Sequence, residues 1–397
     1  MKVGWELKEL GAVSAINYGY TESASGEPIG PRFLRITDIQ DDCVDWESVP
    51  YCKIESEDLP KYRLASGDIV FARTGATTGK SFFVEDPPDA VFASYLIRLR
   101  LLDKRLLPKF VALFFQTANY WKSIKDGSAG SAQGGFNASK LRALAIPIPP
   151  LAEQQRIVAI LDEAFDGIAT AKANTEKNFQ NARALFKSHL QSVFTEAWKI
   201  GSLVRLADLA TDITDGDHMP PPKASSGVPF ITIGNVSKDT HTINFVDTFM
   251  VSREYFDRLK SNKKPKKGDV LYTVTGSFGI SVLINEQRDF CFQRHIGLIR
   301  PKPEVSSEWL YYLLMSPQIL KLANDGATGT AQKTVSLKLL RSFQVPCVPL
   351  PLQRAAAAKL NAVSEETQRL ESLYQRKLAA LDQLKKSLLH QAFTGAL

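Results

Sequence analysis

The second half of this amino-acid sequence repeats the first half, and this duplication constrains the fold more than any other feature. GDIVFARTG at residues 67–75 returns as GDVLYTVTG at 268–276, and IPIPPLAEQ at 146–154 returns as VPCVPLPLQ at 345–353. GSAGSAQ and LFKSHLQSVFT return as GATGTAQ and LKKSLLHQAFT, in the same order and at nearly constant spacing. Two copies of one structural unit are therefore expected, rather than one continuous core.

Each copy begins with a strand-rich part, at residues 1–147 and 201–346. Runs such as DIVFART, SFFVED and PFITIGNV are rich in β-branched and aromatic residues and are bounded by Gly, Pro and Asp, which is typical of strands. A helical pattern follows in each copy, with Pro108 as a first helical residue and Ser307 as a cap. The predicted fold class is α+β, with two tandem mixed α/β domains.

Each copy ends in a predicted long helix, at residues 148–200 and 347–397. Proline is absent from residues 151–198 and 352–392, and only one glycine interrupts the first run. An apolar stripe at heptad spacing usually packs in an ordinary core, but two such helices at equivalent positions favour a coiled-coil pair. The predicted seams are Leu161, Ile168, Ala171, Thr175, Asn178, Ala182 and Leu185, and Leu360, Val363, Thr367, Leu370, Tyr374, Lys377, Leu381, Leu384 and Leu388.

The overall composition and the placement of cysteines and apolar runs exclude several classes of protein. With 44% hydrophobic and 23% charged residues, the chain has the balance of a soluble globular protein. A net charge of +7 favours a polyanionic partner only slightly. The four cysteines lie far apart, no apolar run is long enough for a membrane span, and no secretory leader is visible at the start. We expect a reduced, metal-free cytoplasmic protein.

Two segments resemble catalytic motifs only in part. GATTGKS at residues 75–81 lacks the spacing of a phosphate-binding loop, and SFFVED after it predicts a strand where such a loop needs a helix. DPPD at 86–89 resembles the tetrapeptide of DNA amino-methyltransferases, but Asp89 cannot stack on a base. We find no catalytic constellation in the sequence.

Polar and basic loops are the candidates for contact with DNA. The lysine-rich run at residues 253–267 suits phosphates, although a solvated loop would look the same. The loops after the GD strands and the Gly/Ser loops recur in both copies, where tight-turn chemistry would also select small residues. Residues 214–223 form a further polar loop, with 18–32 as its first-copy counterpart; its histidine either reads bases or fixes the turn. The candidate DNA-binding residues are Arg73, Thr74, Thr77, Lys80, Ser128, Ser131, Gln133, His218, Lys223, Lys263, Lys264, Lys266, Lys267, Thr275, Ser277, Thr328 and Lys333.

The combination of these phrases resembles the specificity subunit of type I restriction-modification enzymes. The matching phrases are GDIVFARTGATTGK, IPIPPLAEQQRIV, TDGDHMPPP and the tail LLHQAFTGAL, and they cover nearly the whole chain. The second copy departs from the pattern at Pro351 and at residues 352–356, where the PPLxEQ phrase has become PLPLQRA. That change affects any specific contact made there, but not the architecture.

The resemblance implies a non-catalytic protein that binds double-stranded DNA. Each domain would read one half of a split site, and the two helices would pair antiparallel, with pseudo-two-fold symmetry, to set the gap. Two DNA adenine methyltransferase subunits, which carry S-adenosylmethionine, and ATP-driven restriction (translocase) subunits would be its partners. The chain itself would bind no cofactor, no metal and no membrane.

Two other classes of function remain open at this point. A stand-alone DNA methyltransferase or nuclease with an unrecognised catalytic domain would bind S-adenosylmethionine or cut DNA by itself. A coiled-coil scaffold would show no salt-dependent binding to duplex DNA.

Overall fold

The structure is a computed structural model that describes residues 4–40, 43–128, 136–219, 221–246, 248–330 and 332–397. Its contacts divide the chain into two compact units. The first unit comprises Met1–Glu176 with Gln375–Leu397, and the second comprises Lys177–Tyr374. Each unit therefore contains one strand-rich domain and one segment from each long helix.

The described residues form two equivalent sets of strands, one in each unit. In the first unit they are β1 (Glu6–Glu9), β2 (Ser14–Tyr18), β3 (Arg32–Leu34), β4 (Ile39–Gln40), β5 (Cys43–Val44), β6 (Ile69–Ala72), β7 (Ser81–Phe83), β8 (Ala90–Phe92), β9 (Leu96–Leu101) and β10 (Ala145–Ile148). In the second they are β11 (Ser202–Arg205), β12 (Ala210–Asp215), β13 (Val228–Ile231), β14 (Phe249–Val251), β15 (Val270–Thr273), β16 (Ser281–Leu283), β17 (Cys291–Phe292), β18 (Ile296–Pro301) and β19 (Gln344–Cys347).

Short helices connect the strands, and one long helix follows each domain. The helices are α1 (Leu10–Val13), α2 (Leu59–Tyr62), α3 (Pro108–Phe114), α4 (Ala118–Ser128), α5 (Ala138–Arg142), α6 (Leu151–Ile200), α7 (Arg253–Arg258), α8 (Ser307–Met315), α9 (Pro317–Gly326), α10 (Leu337–Ser342) and α11 (Leu350–Thr394). The two predicted long helices are confirmed as α6 and α11, of 50 and 45 residues.

Three parts of the sheet topology recur in both units, although β13 also pairs with β14 in the second unit and β4 pairs with β5 in the first. A four-stranded antiparallel sheet has the order β2-β9-β6-β7 in the first unit and β12-β18-β15-β16 in the second. A parallel pair, β3-β8, corresponds to β13-β17, and an antiparallel ribbon, β1-β10, corresponds to β11-β19. The duplication found in the sequence is therefore a duplication of structure.

The GD phrase of each copy places a buried carboxylate against an arginine of the neighbouring strand. Asp68 pairs with Arg100 at 2.6 Å, and Asp269 pairs with Arg300 at 2.7 Å. Each carboxylate also accepts a backbone N–H from three residues upstream, which closes the turn into the strand. Because both aspartates are almost fully buried, the ion pair holds the start of β6 and of β15 in place.

Two helical expectations are corrected in detail. The pattern at residues 306–324 forms two helices, α8 and α9, because Ser316 caps a new helix that starts at Pro317. The cap of α8 is Ser306, whose hydroxyl accepts the N–H of Trp309, and not Ser307. The counterpart in the first unit also divides in two, as α3 and α4, and Pro108 lies at its start as predicted.

Within each unit, the segments of α6 and α11 run antiparallel and close the core of the domain. In the first unit, Arg156 donates to the carbonyl of Leu397 and Lys172 pairs with Asp382, so numbers rise along α6 while they fall along α11. In the second unit, Arg183 pairs with Glu371 at 2.8 Å. The helix residues buried in the first core are Ile157, Val158, Leu161, Leu389 and Ala392, and those in the second are Leu190, Phe194, Ala197, Ala357 and Leu360.

Of the 16 predicted seam positions, 12 are buried or half-buried and four are exposed. Leu161, Ile168, Thr175 and Ala182 are buried, but Asn178 and Leu185 are exposed. On α11, Lys377 and Leu384 are exposed, while Leu378 and Lys385 beside them are half-buried. The heptad pattern favoured Leu384 over its neighbour Lys385. The ammonium of Lys385 lies 4.8 Å from the ring centroid of Phe165, so the aliphatic stem of the lysine covers the seam instead.

Candidate DNA-binding surface

A loop after the central strand β6 brings together four of the candidate residues of the first unit. Arg73, Thr74, Thr77 and Lys80 lie along this loop, and Lys80 is exposed. Its two glycines, Gly75 and Gly79, have φ of 76° and 87°, which favours glycine at both positions. Strand β7 follows directly at Ser81, so the prediction that a strand, and not an α-helix, comes after this loop is confirmed.

A buried tyrosine holds this loop on the sheet. The hydroxyl of Tyr120, in α4, donates to the carbonyl of Gly79 at 2.6 Å. Burial raises the pKa of Tyr120 far above its ordinary value, so the hydroxyl stays protonated and remains a donor. The loop conformation is therefore set from beneath by the core.

The Gly/Ser segment of the first unit lies largely outside the described residues. Ser131 and Gln133 fall in the undescribed stretch 129–135, and Ser128 is the last residue of α4. Where the description resumes, the N–H of Phe136 donates to the carbonyl of Arg73 at 3.1 Å. The end of the Gly/Ser segment therefore meets the start of the loop after β6.

In the second unit, the structure brings the two corresponding loops into contact. The N–H of Gly276 donates to the carbonyl of Lys333 at 3.0 Å, and the hydroxyls of Thr275 and Thr334 lie 3.4 Å apart. Thr328 pairs with Thr334 in a short antiparallel bridge. Ser277, Thr328 and Lys333 are exposed. These three residues and the buried Thr275 come from two distant segments and form one polar region, which we call the sheet-end surface: Thr275, Ser277, Thr328 and Lys333.

A cleft of about 330 Å³ opens beside this sheet-end surface. His218 and Thr275 line it, and His218 Nε2 lies 3.1 Å from a carboxylate oxygen of Asp215. His295 lines the same cleft, and its pKa is lowered first by burial and then by the charge of Arg294. His295 is therefore neutral at pH 7, with one ring nitrogen free to accept and the other to donate.

A comparison with protein families decides what this duplicated arrangement is. The family model described as the type I restriction modification DNA specificity domain matches residues 2–178 and, a second time, residues 196–378. The chain belongs to this family. Each match covers one of the two copies found in the sequence, so the chain carries two specificity domains.

Known proteins agree with this assignment over most of the chain. The type I restriction enzyme EcoKI specificity subunit of Escherichia coli K12 is 24% identical over 361 residues, which cover 84% of this chain and 76% of that protein. A chain from a structural study of complex assembly and conformational transition of the type I R-M system is similar with a TM-score of 0.77, at 20% identity, with 100% and 99% of the two chains covered. The HsdS subunit of Thermoanaerobacter tengcongensis gives 0.62, at 20% identity, with 100% and 98% covered. Both solved structures share the fold.

The basic segment of the second specificity domain divides into two pairs of lysines. Lys263 donates to the carbonyl of Gly216 at 3.1 Å and lies 3.4 Å from Asp217, so it holds a turn of its own domain. Lys264 donates to the carbonyl of Asp257 and lies over the ring of Phe256. By contrast, the next two lysines, Lys266 and Lys267, are exposed, as is Lys223.

These exposed lysines do not belong to the sheet-end surface. Lys266 and Lys267 come directly before β15, whereas Thr275 and Ser277 follow it, so the two groups lie at opposite ends of one strand. At about 3.3 Å per residue, the ends of such a strand are well separated. The structure therefore offers two candidate contact regions on the second specificity domain, rather than one.

Sequence reasoning missed several side chains around the loops. Tyr18 and Tyr95 flank Arg73 in the first specificity domain, and Arg294 and His295 lie beside His218 in the second. Each residue lies at the end of a strand or just before one, next to a loop that the sequence did single out. The signal available in the sequence was an aromatic residue at the end of a predicted strand and next to a polar loop, since a residue there does not pack in the core.

Metal-binding clusters and membrane-spanning helices are both absent from the part of the chain that the structure describes. Across those residues, no group of three or more His, Cys, Asp or Glu is placed to hold a metal ion. Among the same residues, no helix is both long and apolar enough to cross a membrane.

Proposed function

We propose that this chain recognises double-stranded DNA for a type I restriction-modification complex, with each specificity domain contacting one half of a bipartite site. The observation that carries the proposal is the meeting of two distant polar loops at one end of the central sheet in the second domain, with a matching contact between Phe136 and Arg73 in the first. Loops rich in hydroxyls and bare backbone amides suit contacts with phosphates and base edges. Family membership supports the same assignment.

The loop residues fall into two proposed roles. Thr74, Thr77, Thr275, Ser277 and Thr328 carry hydroxyls that contact phosphates or base edges at close range. Lys80, Lys223, Lys266, Lys267 and Lys333 are exposed cations that neutralise phosphates. Ser128, Ser131 and Gln133 are assigned to the same contact by their position in the Gly/Ser segment, and Lys263 and Lys264 contribute their charge from within the domain. His218 lies with Asp215 in the cleft and contacts the DNA there.

In this proposal the chain is not an enzyme. It works in the cytoplasm with two DNA adenine methyltransferase subunits and with restriction (translocase) subunits. Those partners bind S-adenosylmethionine and ATP, while α6 and α11 set the gap between the half-sites. The name of the EcoKI relative, a specificity subunit of a type I restriction enzyme, supports this division of labour.

Reconstitution with methyltransferase subunits tests the proposal directly. The chain alone should show salt-dependent binding to duplex DNA but no transfer of a methyl group from S-adenosylmethionine. Adding the partner subunits should produce methylation at a two-part motif with a fixed gap. Methyl transfer by the isolated chain would instead support a stand-alone methyltransferase, and binding without salt dependence would support a scaffold.

Domain exchange then tests the division between the halves. Replacing residues 1–147 by the equivalent domain of a relative should change one half of the methylated motif and leave the other half intact. A change in both halves would contradict independent reading by the two specificity domains.

A further inference from the structure

The side chain of Arg73 lies between two exposed tyrosines at the sheet end of the first specificity domain. Its guanidinium carbon is 5.0 Å from the ring centroid of Tyr18 and 5.8 Å from that of Tyr95. These side chains are 41% and 60% exposed, and the hydroxyl of Tyr18 accepts the N–H of Ala138 at 3.1 Å, which fixes the ring beside the arginine. Within the described residues, the guanidinium forms no ion pair, and its buried Nε has no hydrogen-bond partner.

Contact with tyrosine rings restrains a guanidinium without using its hydrogen-bonding edge. Cation–π attraction acts on the charge of the group, whereas the N–H donors lie in its plane. An arginine restrained in this way loses less conformational freedom when it binds than a free surface arginine does. Arg73 is thus prepared to donate to a planar ligand that offers two acceptors.

Two hydrogen-bond relationships and one strand register identify the equivalent positions in the second specificity domain. The N–H of Arg73 donates to the carbonyl of Tyr95, and the N–H of Val274 donates to that of His295. Val274 also accepts from Val335, as Arg73 does from Phe136. Tyr18 lies opposite Ile97 in its sheet, and Asp215 lies opposite the equivalent Gly297.

The backbone at this place is the same in the two copies, but the side chains differ. The loop glycines Gly276 and Gly279 have φ of 70° and 92°, close to the values of Gly75 and Gly79 in the first domain. Yet Arg73, Tyr18 and Tyr95 are replaced by Val274, Asp215 and His295. In the second domain these smaller residues line the cleft next to His218.

The difference in side chains between the two domains is what we expect of residues that contact bases, and not of residues that contact phosphates. The phosphates of the two half-sites are chemically identical, so a shared backbone framework can meet them with shared chemistry. Base edges differ between half-sites, and reading them requires different side chains on the same framework. We infer that Arg73, held between Tyr18 and Tyr95, reads a guanine in the half-site of the first specificity domain through O6 and N7. The inference rests on the proposed function and adds the residue and the base.

Methylation-site sequencing with substituted chains tests the inference. Cells carrying the methyltransferase subunits and either the wild-type chain or Arg73→Lys are compared. Lysine keeps the charge but cannot donate in the bidentate geometry of arginine. In the variant, discrimination for guanine at one position of one half-site should fall by about tenfold or more, while the gap and the other half-site stay unchanged.

Two substitutions of Tyr95 provide a second test, in which the arginine itself is left unchanged. Tyr95→Ala should relax the same position as Arg73→Lys, because the guanidinium loses one of its two rings. Tyr95→Phe keeps the ring and should keep the wild-type motif. Because the side chain of Tyr95 is 60% exposed, both variants should fold. Lys80→Gln, which removes one positive charge from the same loop, should weaken binding to all sequences alike.

The outcomes separate this inference from the proposed function. A wild-type chain that produces no bipartite motif overturns both. A bipartite wild-type motif that is unchanged in Arg73→Lys and Tyr95→Ala overturns only the guanine contact. Uniform weakening of all sequences by Arg73→Lys, as for Lys80→Gln, also overturns it, because that result identifies a phosphate contact.

Discussion

The buried side chain of Gln154 accepts a 2.8 Å hydrogen bond at Oε1 from the backbone N–H of Leu107. Its amide nitrogen donates to the carbonyls of Arg105 and Pro149, also at 2.8 Å. Gln353 repeats this contact in the second domain, with the N–H of Ser306 as donor. One glutamine therefore joins the first turn of each long helix to the loop that enters the domain's helical pair. Although the phrase that ends at this glutamine changes from PPLAEQ to VPLPLQ, the glutamine and its contact remain.

Replacing this glutamine by an apolar residue of similar size should destabilise the fold. Gln154→Met leaves one buried N–H and two carbonyls unsatisfied, each at roughly 1–3 kcal/mol, so a decrease in unfolding free energy on the order of 3 kcal/mol is expected. Denaturation in urea, followed by circular dichroism, measures the change. Gln155→Met, one residue along on the exposed side of α6, is the matched control and should change stability little. Equal effects of the two substitutions would refute the structural role of Gln154.

Substitution of Lys263 should affect folding, whereas substitution of Lys266 and Lys267 should affect DNA binding. Lys263→Gln removes the interactions with Gly216 and Asp217, so it should lower the melting temperature. The double substitution Lys266→Gln and Lys267→Gln should leave folding unchanged and flatten the salt dependence of DNA binding, by about 0.9 in slope for each phosphate that is no longer neutralised. An unaltered slope in the double variant would place these lysines away from the DNA.

The stability of the second unit should decrease in mildly acidic solution because of His241. The ring is largely buried, and this burial lowers its pKa below the ordinary value, although Nδ1 lies 2.9 Å from the carbonyl oxygen of Ser281. The unfolded chain therefore takes up a proton at higher pH than the folded one. The stabilisation is present above the ordinary pKa of about 6.5 and is lost as the pH falls through the lowered folded value. Glutamine does not titrate, so His241→Gln lacks this effect. As the pH falls from 7 to 5, the unfolding free energy of the wild type should therefore decrease relative to that of the variant. A constant difference over that range would exclude the effect.

Lengthening both long helices by one heptad should lengthen the gap of the methylated motif. Insertions after Thr175 and after Tyr374 fall within two residues of the boundaries between the two units, so neither core is cut. Seven residues add roughly 10 Å at 1.5 Å per residue. This length corresponds to about three base pairs at 3.4 Å each.

The half-site sequences should stay the same in the lengthened protein. Three base pairs also rotate the duplex by roughly a third of its ~10 base-pair repeat, so methylation should be slower than in the wild type. Sequencing of methylated sites gives the gap directly. A folded, active protein that retains the original gap would show that the helices do not set it.

The architecture could be predicted from the sequence because duplication and periodicity are properties of the chain alone. The break between α8 and α9 was missed because one apolar pattern runs through it, although Ser316 and Pro317 are the cap and the first-position proline that mark a new helix. The seam of α11 was wrong at the exposed Leu384, because periodicity does not tell which of two adjacent residues covers a partner, and Lys385 does so instead. The pairing of Arg73 with Tyr18 and Tyr95 joins three distant segments, and only the folded sheet brings these together.

Because Leu389 and Ala392 complete the core of the first unit, the two ends of the chain meet in one domain. During synthesis, the amino-terminal domain emerges from the ribosome long before the residues that close its core. Until α11 has been made, the apolar residues of the first domain that pack against Leu389 and Ala392 lack that cover. The first unit can therefore complete its core only after the whole second specificity domain has been synthesised.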